Sequence, residues 1–290
     1  KRRFISINLT KLKFTPIKIK IHSLSGSIFM LITLVSAVNL RSLINFTATK
    51  FKLITAALIL LLFAGSADGN TSIKSFHSAK KNLEKSIYFD NRKTVYCSAS
   101  FDSKKNIVAA EGFETTKYIN RAKRLEWEHI VPAENFGQTF SEWREGHKKC
   151  VNNKGERFKG RKCAYKTNLE YRYMSADMYN LFPAIGSVNG LRSNYQFVER
   201  VNKGYSFGSC EMIIGKGKVQ PTNESKGRIA RSYLYMQDTY SRYKMGKPQV
   251  SLMQAWDKQY PVSDWECLRY KRIKAIQRSE NYIMKTRCPD

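Results

Sequence analysis

Apolar side chains recur at helical spacing in the C-terminal part of the chain. Segment 227–244 predicts a helix that turns one face to the core. The apolar positions on that face are Ile229, Tyr233, Met236 and Tyr240. Segment 251–277 predicts two further helices, because Pro261 interrupts it and cannot continue a helix. Ser263 and Glu266 have the spacing of a capping box, which predicts the start of the last helix.

Shorter apolar stretches earlier in the chain predict strands and two more helices. Segment 93–101, KTVYCSASF, alternates as a strand does, and segment 124–133, RLEWEHIVPA, predicts a strand that ends at its proline. Segments 71–90 and 168–184 predict helices, the second of which ends at Pro183. The predicted fold class is therefore α+β and mainly helical.

The region before residue 68 has the features of an export signal. An apolar run over 53–64 follows Lys50 and Lys52, and small residues precede a cleavage site after Ala67. The run is shorter than the roughly 20 apolar residues that span a membrane. We therefore expect 50–67 to be a signal peptide that is removed on export.

Residues 1–49 precede this signal and contain a second apolar patch at 28–40. A tandem membrane anchor is one interpretation, and we favour upstream sequence that does not belong to the mature protein. No internal repeat and no long linker interrupts 68–290, which predicts a single domain. After cleavage we expect no stable association with a membrane.

The chain is strongly basic. It has 51 Lys and Arg residues against 23 Asp and Glu residues, a formal net charge of +28. Such an excess predicts a polyanionic partner, which is either nucleic acid or an anionic membrane surface. The hydrophobic content of 42% and the aromatic content of 12% are enough for a folded core.

The six cysteines all lie after the predicted signal, which favours disulfides over metal ligation. Cys150 and Cys163 enclose a polar, basic loop with little to bury, so we expect them to pair. Closing a loop of this length stabilises the fold by roughly 3 kcal/mol in the loop-entropy model. The remaining four allow three pairings, which the sequence leaves open: they are Cys97, Cys210, Cys267 and Cys288.

Glu128 and His129 place a carboxylate beside an imidazole in an otherwise apolar stretch. A carboxylate suits a hard cation, and a neutral histidine suits a general base near neutral pH. Neighbouring strand residues point to opposite faces, so the two act on one atom only if the strand ends there. The alternative is a structural histidine beside a carboxylate that pairs with one of the many lysines.

A second polar cluster lies in the segment 180–197. Asn189 offers a carboxamide oxygen to a cation, although an asparagine before glycine is also common in turns. Glu126, Arg192 and Asn194 are candidates for support of the site or for contact with nucleic acid.

Four blocks together resemble the endonuclease I family of exported bacterial nucleases. They are RLEWEHIVPAENFG, MSADMYNLFPAIGSVNGLRSNYQF, GRIARSYLYMQDTY and YPVSDWEC, and they occur in the family's order between about Tyr96 and Cys288. The chain departs from the family pattern at Ala99 and Glu111, where the family often has cysteines, which implies one disulfide fewer. Tyr179 also stands where the family often has histidine.

The resemblance implies a ββα-metal (His-Me finger) core with one Mg²⁺, for which Mn²⁺ or Ca²⁺ can substitute. By position, His129 matches the general base, Glu128 and Asn189 match the metal ligands, and Arg161 matches the arginine at the scissile phosphate. The implied protein is a periplasmic or secreted monomer that hydrolyses DNA and RNA with little sequence preference and leaves 5′-phosphates. The alternative is a secreted, non-catalytic nucleic-acid-binding protein, whose binding would survive His129→Ala.

Overall fold

Helices make up most of the fold between residues 69 and 288, the part of the chain that the computed structural model describes. Eleven α-helices occur in this range, and the three longest follow residue 222. The helices are α1 (Phe76–Asn82), α2 (Ile119–Ala122), α3 (Ala133–Gly137), α4 (Ser141–Arg144), α5 (Arg161–Thr167), α6 (Leu169–Ser175), α7 (Gly186–Arg192), α8 (Asn223–Thr239), α9 (Lys247–Gln259), α10 (Asp264–Gln277) and α11 (Tyr282–Lys285).

Three small sheets accompany the helices. The strands are β1 (Ser100–Phe101), β2 (Ile107–Val108), β3 (Leu125–His129), β4 (Leu181–Ile185), β5 (Gln196–Phe197), β6 (Tyr205–Phe207), β7 (Cys210–Gly215) and β8 (Lys218–Gln220). Two antiparallel pairs, β1–β2 and β3–β4, stand beside a four-stranded sheet of order β5-β8-β7-β6. Among the strands of residues 69–288, only the β5–β8 pairing is parallel. The predicted α+β class with more helix than strand is thus confirmed.

The C-terminal helices follow the sequence prediction closely. In α8 the residues Ile229, Tyr233 and Met236 are buried, as their helical spacing predicts. Helices α9 and α10 are separated around Pro261. Ser263 caps α10 and forms the predicted capping box with Glu266. These helices form because local periodicity and capping agree with burial.

Segment 168–184 does not form the single helix that its sequence predicts. Helix α6 ends at Ser175, a 3₁₀ turn follows at Met178–Asn180, and Pro183 lies within strand β4 opposite Trp127. The Pro183 carbonyl accepts a hydrogen bond from the backbone N–H of Val95. Proline is tolerated here because β4 belongs to a two-stranded sheet, where a missing N–H need not interrupt the ladder.

The predicted strand over 93–101 is also largely wrong. Only its last two residues form a strand, and Val95–Cys97 form a turn, with Val95 and Tyr96 buried, before Ser98, which has a positive φ of 49°. The alternation reflects side chains that point into the core from a turn held by the Cys97–Cys210 disulfide.

Segment 71–90 contains the predicted helix, but it begins later and changes its winding. Helix α1 starts after Ser75, whose hydroxyl accepts from the backbone N–H of Ser78. It continues as a π-helical turn over Leu83–Ile87. Such turns are frequent at functional sites.

Three disulfides connect the elements. Cys150 pairs with Cys163, as the sequence predicts. The sequence left the pairing of the other four cysteines open, and the structure pairs Cys97 with Cys210 and Cys267 with Cys288. The first of these ties the turn before β1 to strand β7, and the second ties α10 to the C-terminal end.

The N-terminal predictions lie outside the described residues. These are the signal peptide at 50–67 and the upstream segment 1–49. Within 69–288, no helix is both long and apolar enough to cross a bilayer.

Candidate active site

A cleft of about 960 Å³ opens beside strand β3 and helix α7. Its lining includes the four residues predicted for chemistry, which are separated by up to 61 positions in the sequence: Glu128, His129, Arg161 and Asn189. Antiparallel pairing places His129 opposite Leu181 and Glu128 opposite Phe182. Because α7 begins directly after β4, it starts beside Leu125 and runs back along β3, so that Asn189 reaches Glu126 and lines the same cleft as Glu128 and His129.

His129 is held in a defined orientation at the end of β3. Its Nε2 lies 2.9 Å from the carbonyl oxygen of Ser175, and the Phe76 ring centroid lies 4.9 Å from its own. A carbonyl can only accept, so Nε2 carries the proton and Nδ1 keeps its lone pair. The pKa of His129 is lowered to about 4, mainly by burial; the Ser175 hydrogen bond opposes this shift, and the positive charges of Arg161 and Arg192 add to it. The imidazole is therefore neutral at physiological pH.

Glu128 is buried and held through one of its two oxygens. Oε1 accepts hydrogen bonds from the Tyr96 hydroxyl at 2.7 Å and from Arg192 Nη1 at 2.8 Å. Burial raises the pKa of Glu128, while the positive charge of Arg192 opposes this shift. Among the described residues, none donates to Oε2, which leaves that oxygen for another partner in the cleft.

Asn189 is half-buried on α7, and its Nδ2 donates to Glu126 Oε2 at 2.9 Å. Glu126 in turn accepts a hydrogen bond at Oε1 from Arg121 Nε, at 2.9 Å, and another from Arg124. Burial raises the pKa of Glu126, but the hydrogen bonds from these arginines prevail and lower it overall. Because Asn189 binds Glu126 through Nδ2, its carboxamide oxygen takes no part in that hydrogen bond.

Arg192 lies inside the protein, below the end of β3. It was a candidate for contact with nucleic acid, but its side chain is 0% exposed. Besides Glu128, its guanidinium donates to the backbone carbonyls of His129 and Ile130 at 2.9 and 2.6 Å. A side chain with no accessible surface supports the end of β3 from within, which is one of the two roles for which Arg192 is a candidate; its contact with nucleic acid stays a prediction.

Arg161 and Asn194 lie at the accessible rim of the cleft, as their predicted roles require. Arg161 is the first residue of α5, two positions before the disulfide-bonded Cys163. Arg161 and His129 line the same cleft, and the charge of Arg161 contributes to the low pKa of His129. Asn194 donates to Glu134 Oε2 at 2.8 Å.

Three contributors to the site were not predicted. Tyr96 and Arg121 reach it from outside the motif blocks, and sequence spacing carries no signal for their contacts. Helix α1 also lines the cleft. The sequence does indicate Glu126 as a contributor, because it stands two positions before Glu128 in a strand and so must share its face.

A family model, Endonuclease I, matches residues 69–287. The chain belongs to the endonuclease I family. An extracellular deoxyribonuclease of Aeromonas hydrophila is 37% identical over 243 residues, which cover 81% of this chain and 98% of that protein. A periplasmic deoxyribonuclease of the same species is 41% identical over 172 residues, or 58% of this chain and 66% of that protein.

A third relative comes from a different bacterium. The Endonuclease-1 of Buchnera aphidicola subsp. Baizongia pistaciae is 36% identical over 243 residues, which cover 79% of this chain and 92% of that protein. Membership in the endonuclease I family confirms the resemblance seen in the sequence and the predicted enzyme class, an endonuclease.

Proposed function

We propose that this chain is an exported, divalent-metal-dependent endonuclease that hydrolyses phosphodiester bonds of DNA and RNA and leaves 5′-phosphate ends. Its relatives are named as extracellular and periplasmic deoxyribonucleases, which supports DNA as substrate and a location outside the cytoplasm. Three disulfides suit an oxidising compartment such as the periplasm or the extracellular space. We propose that it acts as a monomer.

The observation that carries this proposal is the convergence of four sequence-distant residues on one cleft. Glu128, His129, Arg161 and Asn189 supply a carboxylate, a neutral base, a cation and a carboxamide. Hydrolysis of a phosphodiester needs these functions together at one phosphorus.

In this proposal His129 is the general base. Its Nε2 is occupied by the Ser175 carbonyl, so Nδ1 is the nitrogen that removes a proton from the attacking water. The low pKa of His129, caused mainly by burial, keeps Nδ1 unprotonated at neutral pH. The Ser175 contact also fixes the ring so that the base needs no reorientation during the reaction.

Glu128 and Asn189 would hold the metal, which we propose to be one Mg²⁺, replaceable by Mn²⁺ or Ca²⁺. The donor set fits, because Glu128 Oε2 and the Asn189 carboxamide oxygen are hard ligands left free by the hydrogen bonds of their neighbours. No group of three or more His, Cys, Asp or Glu side chains with metal-binding geometry occurs among residues 69–288. A site with so few protein ligands suits Mg²⁺, which usually keeps several waters. When bound, the cation would polarise the scissile phosphate and stabilise the leaving oxygen.

Arg161 would stabilise the negative charge that develops on phosphorus. It is exposed at the cleft, and α5 starts at this residue directly beside the Cys150–Cys163 bridge. A guanidinium fixed near a phosphate acts without reorganisation at the moment of reaction.

We also propose that β3, β4 and α7 together constitute a ββα-metal core. Two antiparallel strands are followed at once by a helix, and the proposed metal ligands lie on the first strand and on the helix. The order of these elements supports the assignment.

The proposal is tested by plasmid cleavage with oxidised protein over 68–290, in Mg²⁺ and in EDTA, beside His129→Ala. We expect cleavage that requires both the metal and His129. His147→Ala provides a matched control, because His147 is exposed and lies outside the cleft. A wild type that binds DNA but cleaves it with no divalent metal would refute the nuclease and favour the non-catalytic binding protein.

A further inference from the structure

Helix α1 and its π-helical continuation have two faces with opposite functions. Ala79, Leu83 and Ile87 recur every fourth residue and are each 0% exposed. Another row of residues three and four positions apart faces the cleft: His77, Lys80, Lys81, Glu84 and Lys85. We call this row the α1 stripe. The apolar face anchors the helix, so the α1 stripe is held at the cleft by the core and not by its own charges.

The lysines of the α1 stripe are not neutralised by neighbouring carboxylates. Among the described residues, no carboxylate oxygen lies within 4.0 Å of the Nζ atoms of Lys80, Lys81 or Lys85. Glu84 is engaged by Lys105 at 3.2 Å, and that lysine also lines the cleft. Three like charges on one short helix repel one another, which favours an anionic partner.

One end of the α1 stripe lies near the proposed catalytic base, because Phe76, the first residue of α1, packs against His129. The Phe76 ring centroid lies 4.9 Å from that of His129, and Lys80 Nζ lies 4.9 Å from the Phe76 ring centroid. From Phe76 to Lys85 the helix rises about 13 Å, at roughly 1.5 Å per residue. Successive phosphates of one strand in a duplex are about 3.4 Å apart along the axis. The α1 stripe therefore extends away from the reacting centre over the length of about four nucleotides.

We propose that Lys80, Lys81 and Lys85 of the α1 stripe bind the phosphodiester backbone of the nucleic-acid substrate beside the cleaved bond. The proposal rests on the proposed function for the position of the cleaved bond, whereas binding itself does not require catalysis. Lysine contacts to phosphate carry no sequence information, so the α1 stripe adds affinity without adding sequence preference.

The test compares two triple variants that remove the same charge. One carries Lys80→Gln, Lys81→Gln and Lys85→Gln. The control carries substitutions of three exposed lysines that lie outside the cleft and form no ion pair within the described part of the chain: Lys247→Gln, Lys258→Gln and Lys271→Gln. Affinity for a short fluorescent DNA duplex is measured in EDTA across a series of salt concentrations, and thermal unfolding verifies that both variants fold.

The α1-stripe variant is expected to bind at least tenfold more weakly than the control at about 0.1 M salt, because each lost phosphate contact removes about 0.9 from the slope of log K against log salt. Its slope should be smaller than that of the control by about 2 to 3. Equal affinities and slopes for the two variants would overturn the proposal, since total charge would then account for binding. No binding by the wild type at low salt would overturn it as well.

A small substrate separates this proposal from the proposed function. Bis(p-nitrophenyl) phosphate has a single phosphodiester and no neighbouring phosphates, so the stripe variant should lose much less activity on this substrate than on plasmid. A parallel loss on both substrates would overturn the phosphate-binding role. A wild type that hydrolyses neither substrate would refute the proposed function, and the binding measurements would still decide the α1 stripe.

Discussion

Arg192 and Glu128 form an ion pair of 2.8 Å whose side chains are 0% and 6% exposed. The same guanidinium also binds the backbone carbonyls of His129 and Ile130. One side chain thus fixes the proposed metal ligand and the backbone of the proposed base together. Such a buried pair is costly to break, because removing one partner leaves the other charge without compensation.

Replacement of Arg192 tests this relationship. Arg192→Met should lower the free energy of unfolding by about 3–5 kcal/mol, since Glu128 loses its buried partner. Denaturation by urea measures the change. Asn194→Ala is the control on the same segment, because Asn194 is exposed and makes one rim contact. If both variants lost the same small amount, Arg192 would not have the supporting role inferred for it.

His129 should be essential for cleavage but not for binding. His129→Ala removes the base and should reduce the rate of plasmid cleavage by about 10²- to 10⁴-fold, the usual contribution of a general base. Affinity for DNA in EDTA should stay within a factor of about 3, because backbone contacts dominate binding. Retention of the wild-type cleavage rate would remove His129 from the mechanism.

The low pKa of His129 predicts a pH dependence of stability. Burial lowers this pKa from 6.5 to about 4, so the unfolded chain binds more protons than the folded one between those values. The stabilising contribution is fully present above about pH 6.5 and is lost as the pH falls towards 4, by about 3 kcal/mol. Chemical denaturation across this range measures it, with His129→Asn as the comparison. A difference between wild type and variant that does not change with pH would contradict the low pKa.

Glu126 should act on the metal through Asn189. It accepts the Asn189 amide and is held by Arg121, so Glu126→Gln weakens the contact that orients the carboxamide oxygen. We expect the affinity for Mn²⁺, measured by calorimetry, to fall by about tenfold, as for other residues that orient metal ligands. Glu134→Gln is the control, because Glu134 lines the cleft but contacts Asn194. Equal affinity in both variants would show that Asn189 needs no such support.

The Cys150–Cys163 disulfide should affect activity as well as stability. Its removal in Cys150→Ala/Cys163→Ala should lower stability by roughly 3 kcal/mol and slow cleavage, because Arg161 lies two residues away at the start of α5. Cys267→Ala/Cys288→Ala should lower stability by a similar amount and leave the cleavage rate of the folded enzyme unchanged. Equal rates for the two variants at a temperature where both are folded would separate this disulfide from catalysis.

Features that depend on neighbours along the chain can be predicted from the sequence alone. Helical periodicity placed the buried face of α8, the capping box at Ser263 marked the start of α10, and loop composition indicated the Cys150–Cys163 pair. The motif blocks around Glu128 and Asn189 identified the family. Each of these signals lies within a short segment, where backbone geometry relates spacing directly to contact.

Tertiary structure alone decided which distant residues meet. It placed Pro183 in a strand opposite Trp127, buried Arg192 beneath Glu128 and brought the lysines of α1 to the cleft. These contacts join segments far apart in sequence, and their free energy comes from packing and desolvation, which arise only when the whole core assembles. Arg192 illustrates the reason. An arginine in a basic chain is usually a surface cation, and only the packed structure makes Arg192 an internal support.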